Sequence, residues 1–504
     1  MKRVIYLITV FFISYPSFTQ SIDEPLPQRK MEKDLEIFKN IRIEANSGLY
    51  KYRSKKEIDS IYSWAENKVK TIGTYREFYN LICKLTDFEG SLHNNTVLPE
   101  KYKSSLKAEQ DGYFPYPIKW VDGKWLLNQE GVEVPLGSEL ISINQGPIDQ
   151  IIENLHKYYT TDGINTTGKR IGINYNFGKY YRFNYGLEND FEVAFKTPRS
   201  EEIKTIKLAS VGYAQYYSNV ENRYSKMFDE VNYKDWEEGE IYSFETTQDS
   251  IGILTINSFS MGNKHAAEHK QYVSFLDSIF TSIKEQQIKD LIVDVRYNGG
   301  GTDPNDLVTY SYLTSRTFQE NKQAWISFEK IPFVRYAYTD IPRILRPLGV
   351  GKYNKAFQKE FPVEIDGKFY QDSTSEDHKI WEPNNQAFSG NIYLLISPTL
   401  ASAGSLFAAM VTGNENSITI GEEAMGGYYG HNGHSSLGYI LPKSRLEIFF
   451  SVVNLEQDVP KKGNQIYERG IIPDLIIPQS YENFINHDDT QMKETLKLIR
   501  KNSL

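Results

Sequence analysis

The chain has 504 residues, of which 40% are hydrophobic and 24% are charged. This is the composition of a globular protein with room for about three domains. A formal net charge of −8 excludes a general nucleic-acid binder, because such proteins are usually basic. The single cysteine, Cys83, excludes an intramolecular disulfide and a cysteine-based metal cluster.

The amino terminus has the order of a secretory signal. Lys2 and Arg3 precede an apolar run over residues 4–13, and small residues follow. We therefore predict a signal peptide over residues 1–19. The run is too short for a stable membrane anchor, and no later segment is apolar enough for an integral membrane helix. We expect export to the periplasm or the cell exterior, and the single cysteine favours a bacterial source.

Residues 28–105 are predicted to form a helical domain. Apolar residues recur at helical spacing in three segments of this region, with charged residues between them. The three predicted helices are Met31–Ile43, Lys55–Lys70 and Tyr75–Leu85.

Short strands are predicted from residue 110 to residue 210. Trp120–Leu127 is typical of a hairpin that turns at Asp122 and Gly123. A glycine turn, a short apolar strand ending near Asn144 and a helix over Pro147–Tyr158 follow. This order resembles the second half of a PDZ domain, although the usual glycine-rich carboxylate-binding loop is absent. We predict a PDZ-like domain over residues 110–210, followed by a linker over 211–240.

From residue 241 the chain alternates strands with helices, which predicts an α/β core over residues 241–482. A stretch over residues 316–388, rich in proline, tyrosine and charge, interrupts this alternation and is predicted to be an insertion that could gate a site. The predicted core elements are Ile251–Ile256, Ala266–Ile283, Leu291–Val295, Leu394–Ile396 and Ser402–Thr412.

Two segments of this core carry groups suited to catalysis. The strand Leu291–Val295 leads into the glycine turn 299–301, whose N–H groups could donate to an anion. A second strand and turn lead to Ser402 at a predicted helix start, where the next N–H could face an oxyanion. Taken singly, each segment has a structural explanation: a tight turn, and a helix N-cap.

Four segments in order resemble the tail-specific, or C-terminal processing, serine peptidase family. They are Asp-x-Arg-x-Asn-Gly-Gly-Gly from Asp294, the strand–turn–Ser-Ala–helix around Ser402, Gly421-Glu422, and the segment from Glu468 to Asp474. The resemblance implies a crotonase-like ββα spiral in the core. It also implies cleavage of proteins or peptides through an acyl-enzyme on Ser402, without a cofactor.

The resemblance selects a catalytic style. The position of the lysine in the Ser–Lys dyad is taken by Gly427, so the tricorn-like branch, which uses serine, histidine and glutamate, is the better match. That branch implies His93 as the general base and Glu468 as the group that orients or polarises the site, directly or through another side chain. The oxyanion donors are then predicted to be the N–H groups of Ala403 and Gly300.

Other assignments stay open. His431 and His434 are alternative candidates for the base or for a substrate contact. No acidic or cysteine partner at ligand spacing supports them as metal ligands, so no metal is predicted. The family commonly has glutamate where this chain has Ser405. An inactive protein on the same fold that binds peptide, glycan or another ligand is an alternative. An inactive precursor, blocked by residues 316–388, is another.

Overall fold

A computed structural model describes residues 21–229, 241–341, 346–375 and 377–502. The predicted signal peptide over residues 1–19 lies outside the described residues. Most of the second half of the predicted linker, residues 230–240, lies outside them as well.

The amino-terminal region is helical, and each of the three predicted helices is present. Ser54 and Thr74 begin the second and third helices with capping boxes, in which a glutamate three residues later bonds back to the cap. Their apolar faces bury residues such as Phe38 and Ile82. The helices are Gln28–Ala45, Lys55–Lys68, Tyr75–Phe88 and Glu100–Lys107.

An antiparallel sheet follows. The predicted hairpin is confirmed: Trp120 pairs with Trp125, and Asp122 and Gly123 both have positive φ, as a tight hairpin turn requires. The strands are Ile118–Val121, Lys124–Leu127, Glu139–Ile143, Gly146–Pro147, Asp190–Lys196 and Ile203–Ala209. The helix Ile148–Leu155 and the 3₁₀ turn His156–Tyr158 lie between the fourth and fifth strands.

Two helices in this region were not predicted. Lys169–Tyr185 buries residues on all its sides, so the one-sided apolar pattern of a surface helix is missing. Tyr213–Glu221 is helical and buries Tyr216 and Val220. The prediction of a linker from residue 211 was therefore wrong for its first part, because aromatic residues that looked like surface residues pack into the fold.

The α/β prediction for the core is confirmed by a six-stranded, mostly parallel sheet. From one edge to the other its strands are Leu475–Ile476, Ser417–Gly421, Asn391–Ile396, Asp290–Asp294, Gly252–Ile256 and Tyr242–Thr246. The accompanying helices are Ala267–Glu285, Asn305–Ser311 and Ala403–Thr412. Asp290–Asp294 and Asn391–Ile396 are parallel neighbours, so the two turns that follow them emerge side by side.

A third sheet joins distant parts of the chain. Its long strand Glu447–Gln457 pairs with Asn432–Ile440 on one edge, and with both Asn95–Val97 and Asn321–Ile326 on the other. Lys368–Tyr370 and Val363–Ile365 complete it. Residues 316–388, predicted to be an insertion beside the core, therefore contribute strands to a sheet that also contains core residues.

Other elements of residues 316–388 and the carboxyl-terminal region are helical. They are Val334–Tyr336, Arg346–Gly349, Gly351–Glu360, Tyr481–Ile485 and Thr490–Asn502. Across the described ranges, every helix is too short or too polar to cross a lipid bilayer.

Candidate active site

Ser402 lies at the start of the helix Ala403–Thr412, but its hydroxyl does not cap that helix. Its backbone has φ +52° and ψ −134°, and its side chain makes no capping hydrogen bond. An L-residue in this region carries about 1–3 kcal/mol of strain. The carbonyl of Ser402 accepts from Leu406 N and from the Ser405 hydroxyl, which helps to hold the turn. The hydroxyl is thus turned away from the helix amides and is available for another contact.

That contact is His93. His93 Nε2 lies 3.3 Å from Ser402 Oγ, and His93 Nδ1 lies 2.7 Å from the carbonyl oxygen of Asn432. Because a carbonyl only accepts hydrogen bonds, Nδ1 must carry the hydrogen, and in the neutral ring Nε2 then presents its lone pair to the serine. The structure therefore brings the predicted nucleophile and the predicted base together, with the base in the required tautomer.

The environment of His93 keeps the imidazole neutral. Burial lowers the pKa of His93 to about 4, the bond to Asn432 opposes this shift, and His434 adds a smaller lowering. A histidine with this pKa is deprotonated at pH 7 and can accept a proton.

The turn that carries His93 is fixed on one side by Glu89. This buried carboxylate accepts from both Nε and Nη2 of Arg42, and also from the side-chain amides of Asn46 and Asn94. Burial lowers the pKa of Arg42 to about 9. The helix Gln28–Ala45, which carries Arg42, therefore positions the turn that carries His93.

Asp162 fixes the other side of this turn. Its carboxylate accepts from the N–H of Leu92 at 3.0 Å and from the N–H of Gly427 at 3.1 Å. The side chain is fully buried, and burial raises its pKa to about 7, against the lowering effect of the two amides. Asp162 was not predicted from sequence. It ties the residue before His93 to the position where the lysine of the Ser–Lys dyad is expected.

The glycine turn packs directly on the serine turn. A Cβ added to Gly300, which has φ +106°, would lie 2.7 Å from Ser402 Cβ, so only glycine allows this approach. Asn298 joins the two turns, because its carbonyl accepts from Ala401 N at 3.2 Å and its side-chain oxygen accepts from Gly300 N at 2.9 Å. This geometry corrects one expectation: the Gly300 N–H already donates to Asn298 and is not a free oxyanion donor.

The N–H of Ala403 is better placed for the oxyanion. Ala403 is the first residue of its helix, and first-turn N–H groups have no intrahelical partner. This N–H directly follows the Ser402 hydroxyl, and the positive end of the helix dipole adds to its attraction for negative charge.

Glu468 does not contact His93. The residue is exposed, and within the described ranges the hydrogen bonds and ion pairs include none from its carboxylate. Its main chain nevertheless borders the site: Glu468 O accepts from Ile164 N, and the adjacent Gly163 N donates to Gly90 O in the turn that carries His93. The group that orients His93 is a backbone carbonyl, which no side-chain motif could reveal.

The two other candidate histidines lie in different places. The ring centroid of His431 is 5.1 Å from that of His93, and burial, followed by His93, lowers its pKa well below the usual value. His434 instead faces Asp377, with Nδ1 3.7 Å from Oδ2. Among the described residues, only His93 makes a hydrogen bond to the Ser402 hydroxyl.

A cavity of about 600 Å³ opens beside His93. Its wall is polar and aromatic, and residues of the helical region, of the segment 110–210 and of the core form it. Lining residues include His93, Leu92, Tyr158, Tyr180, Met425 and Phe449. A cleft of this size can hold several side chains of an extended substrate.

Residues 250–477 match the family model described as peptidase family S41. Among curated proteins, none matches the chain significantly.

Two solved structures of CPAF share the fold. A structure of mature CPAF complexed with lactacystin is 12% identical with a TM-score of 0.57, over 94% of this chain and 98% of that one. The crystal structure of mature CPAF is 13% identical with a TM-score of 0.54, over 91% of this chain and 94% of that one. The photosystem II D1 C-terminal processing protease is 11% identical with a TM-score of 0.38, over 90% and 94%.

Proposed function

We propose that this chain, a serine-type peptidase whose residues 250–477 match the family model described as peptidase family S41, is exported and cleaves proteins or peptides through an acyl-enzyme on Ser402. One observation carries the proposal. The Ser402 hydroxyl makes no helix-capping bond and lies 3.3 Å from His93 Nε2, the ring nitrogen without a hydrogen.

The proton path follows from this geometry. His93 Nε2 accepts the hydroxyl proton as Ser402 Oγ attacks the substrate carbonyl, and the Nδ1–H bond to Asn432 O supports the imidazolium that forms. His93 then donates that proton to the leaving amine. Water then attacks the acyl-enzyme while His93 accepts its proton, and His93 returns that proton to Ser402 Oγ as the second product leaves.

The Ala403 N–H stabilises the negative charge of the tetrahedral intermediate by donating a hydrogen bond to its oxygen. An oxyanion donor of this kind contributes about 10²–10³ in rate. The Gly300 N–H can contribute only if the substrate displaces it from Asn298, because that donor is already used.

The tricorn-like Ser-His-Glu style fits this chain better than a Ser–Lys dyad. Gly427 offers no side chain, and its N–H donates to Asp162. We propose that Glu468 acts on His93 through an intervening polar group, since its main chain borders the turn that carries the base.

The domain assignments complete the proposal. The helical domain over residues 28–105 supplies His93, the peptidase core over residues 241–482 supplies Ser402, and the PDZ-like domain over 110–210 contributes to the cavity beside them. We expect an extended substrate to contact residues of all three domains. Export rests on the predicted signal peptide over residues 1–19.

The deciding experiment compares Ser402→Ala and His93→Gln with the wild type. Casein and a library of unstructured peptides serve as substrates, and a fluorophosphonate probe reports the reactive serine. Ser274→Ala, an exposed serine on the helix Ala267–Glu285, is the matched control. We expect the two site variants to lose cleavage and labelling while the control keeps both.

The same experiment tests the binding-protein alternative. If the wild-type chain binds peptides but neither cleaves them nor reacts with the probe, the peptidase mechanism is wrong. The chain is then a peptide-binding protein on the same fold. Activity that appears only after limited proteolysis would indicate the inactive precursor.

A further inference from the structure

Three carboxylates from separate parts of the core lie together outside the catalytic pair. Asp303 follows the glycine turn, Asp306 lies in the helix Asn305–Ser311, and Glu320 directly precedes the strand Asn321–Ile326. One oxygen from each carboxylate lies within 4.8 Å of the others.

Two of these carboxylates are buried without any donor. Asp306 and Glu320 are both 0% exposed, and none of their four side-chain oxygens accepts a hydrogen bond. No lysine or arginine of the described ranges forms an ion pair with any of the three. Burial and then mutual repulsion raise the pKa of Asp306 and of Glu320 well above the usual range. A buried anion without a partner is strongly unfavourable, so this group needs a cation or protons.

A second set of polar groups packs beside the cluster. Asn321, also fully buried, has a side-chain oxygen without a donor. Its amide nitrogen contacts Gln371 Oε1 and His434 Nε2, and His434 Nδ1 faces Asp377. Burial raises the pKa of Asp303, His434 opposes this shift, and Asp377 adds to it. Asn321 can therefore supply an additional oxygen ligand, and its contacts with Gln371 and His434 hold the side-chain amide in place.

We propose that Asp303, Asp306 and Glu320 bind one divalent cation, for which Ca²⁺ is the best chemical match. The donors are oxygens only, as hard cations require, and no thiolate is present. Two oxygens that are each about 2.4 Å from one Ca²⁺ ion lie at most about 4.8 Å apart, and the three carboxylate oxygens meet this limit. The sequence predicted no metal because these residues are not at a recognisable ligand spacing.

The site has a structural consequence for the catalytic centre. Asp303 is three residues after Gly300, and His434 is two residues after Asn432, whose carbonyl orients His93. A bound cation would therefore hold in place the segment after Gly300, which packs on Ser402, and the segment after Asn432, which orients His93. The inference about binding does not depend on the peptidase mechanism.

The experiment uses the full chain with Ser402→Ala, which prevents self-cleavage and keeps the metal question separate from activity. After dialysis against EDTA, Ca²⁺ is titrated by calorimetry, with Mg²⁺ and Mn²⁺ as comparison ions, and thermal unfolding is recorded with and without ion. We expect one Ca²⁺ per chain and a rise in Tm of about 2–5 °C at a hundredfold excess over Kd.

Two variants and a control identify the ligands. Asp306→Asn and Glu320→Gln are each expected to weaken Ca²⁺ binding by about 100-fold, whereas the exposed Glu285→Gln should bind as the parent does. If Asp306→Asn does not fold, the half-buried Asp303→Asn replaces it. Absence of binding and of any Tm change with all three ions would overturn the proposal. So would unaltered Ca²⁺ affinity in the folded variants. In either case the carboxylates share protons instead.

Discussion

Replacing Ser402 by glycine should stabilise the protein while abolishing its activity. At φ +52° and ψ −134°, the Cβ of Ser402 costs about 1–3 kcal/mol, and glycine removes this strain. The greater freedom of glycine in the unfolded chain cancels about 0.5–1 kcal/mol of the gain. The hydroxyl makes no capping bond, so its loss costs little. A net gain of about 0.5–2 kcal/mol should follow.

The proper reference is Ser402→Ala, which also lacks the hydroxyl but keeps the strained Cβ. Scanning calorimetry should give Ser402→Gly a Tm about 1–4 °C above that of Ser402→Ala. The pair Ser405→Gly and Ser405→Ala supplies the matched control within the same helix. There glycine should be less stable than alanine by up to about 1 kcal/mol. The reasoning fails if glycine is the less stable replacement at both positions.

Four further predictions concern the site. Because burial lowers the pKa of His93 to about 4 and the base must be neutral, the acid limb of kcat/KM attributable to His93 should have its midpoint near pH 4; a midpoint at pH 6.5 would contradict it. The same depressed pKa means that the wild type loses stability relative to His93→Gln as pH falls from about 6.5 to about 4, which denaturant titration at several pH values would measure. Asp162→Asn should lower kcat/KM by about 10–100-fold, because it loosens the turn that carries His93. The control is Asp34→Asn, at another buried carboxylate that accepts backbone N–H groups, those of Lys443 and Ser444; it should leave kcat/KM unchanged. Equal losses of kcat/KM in the two folded variants would refute a local role of Asp162. Glu468→Gln should reduce kcat at least about tenfold without changing Tm, because the carboxylate is exposed; unchanged kcat would remove Glu468 from the mechanism.

Much of the fold was predictable because local patterns and burial agree. The helix Lys55–Lys68 begins at a capping box, and the hairpin Trp120–Leu127 turns at residues suited to positive φ. The helix Lys169–Tyr185 was missed because it is buried on all sides. The strand Asn321–Ile326 was not predicted, because its pairing with Glu447–Gln457 is a long-range contact.

The candidate site was predictable only where a side chain carries the signal. Ser402 and His93 were named from motifs, and the structure places them 3.3 Å apart. Asn432 could not be named, because it contributes a main-chain carbonyl whose position depends on strand pairing. The hydrogen bond from the Gly300 N–H to the Asn298 side chain likewise depends on the geometry of the folded turn. The buried carboxylates around Asp306 and Glu320 were missed because only folding brings them together.

The carbonyl of Asn432 has a consequence for how this enzyme tolerates mutation. A triad carboxylate can be deleted by a single base change, but a peptide oxygen survives every amino-acid replacement at its own position. The alignment of His93 is encoded in the register of Asn432–Ile440 against Glu447–Gln457. Mutations that misalign His93 should therefore occur at residues that set this register, far along the chain from His93 itself.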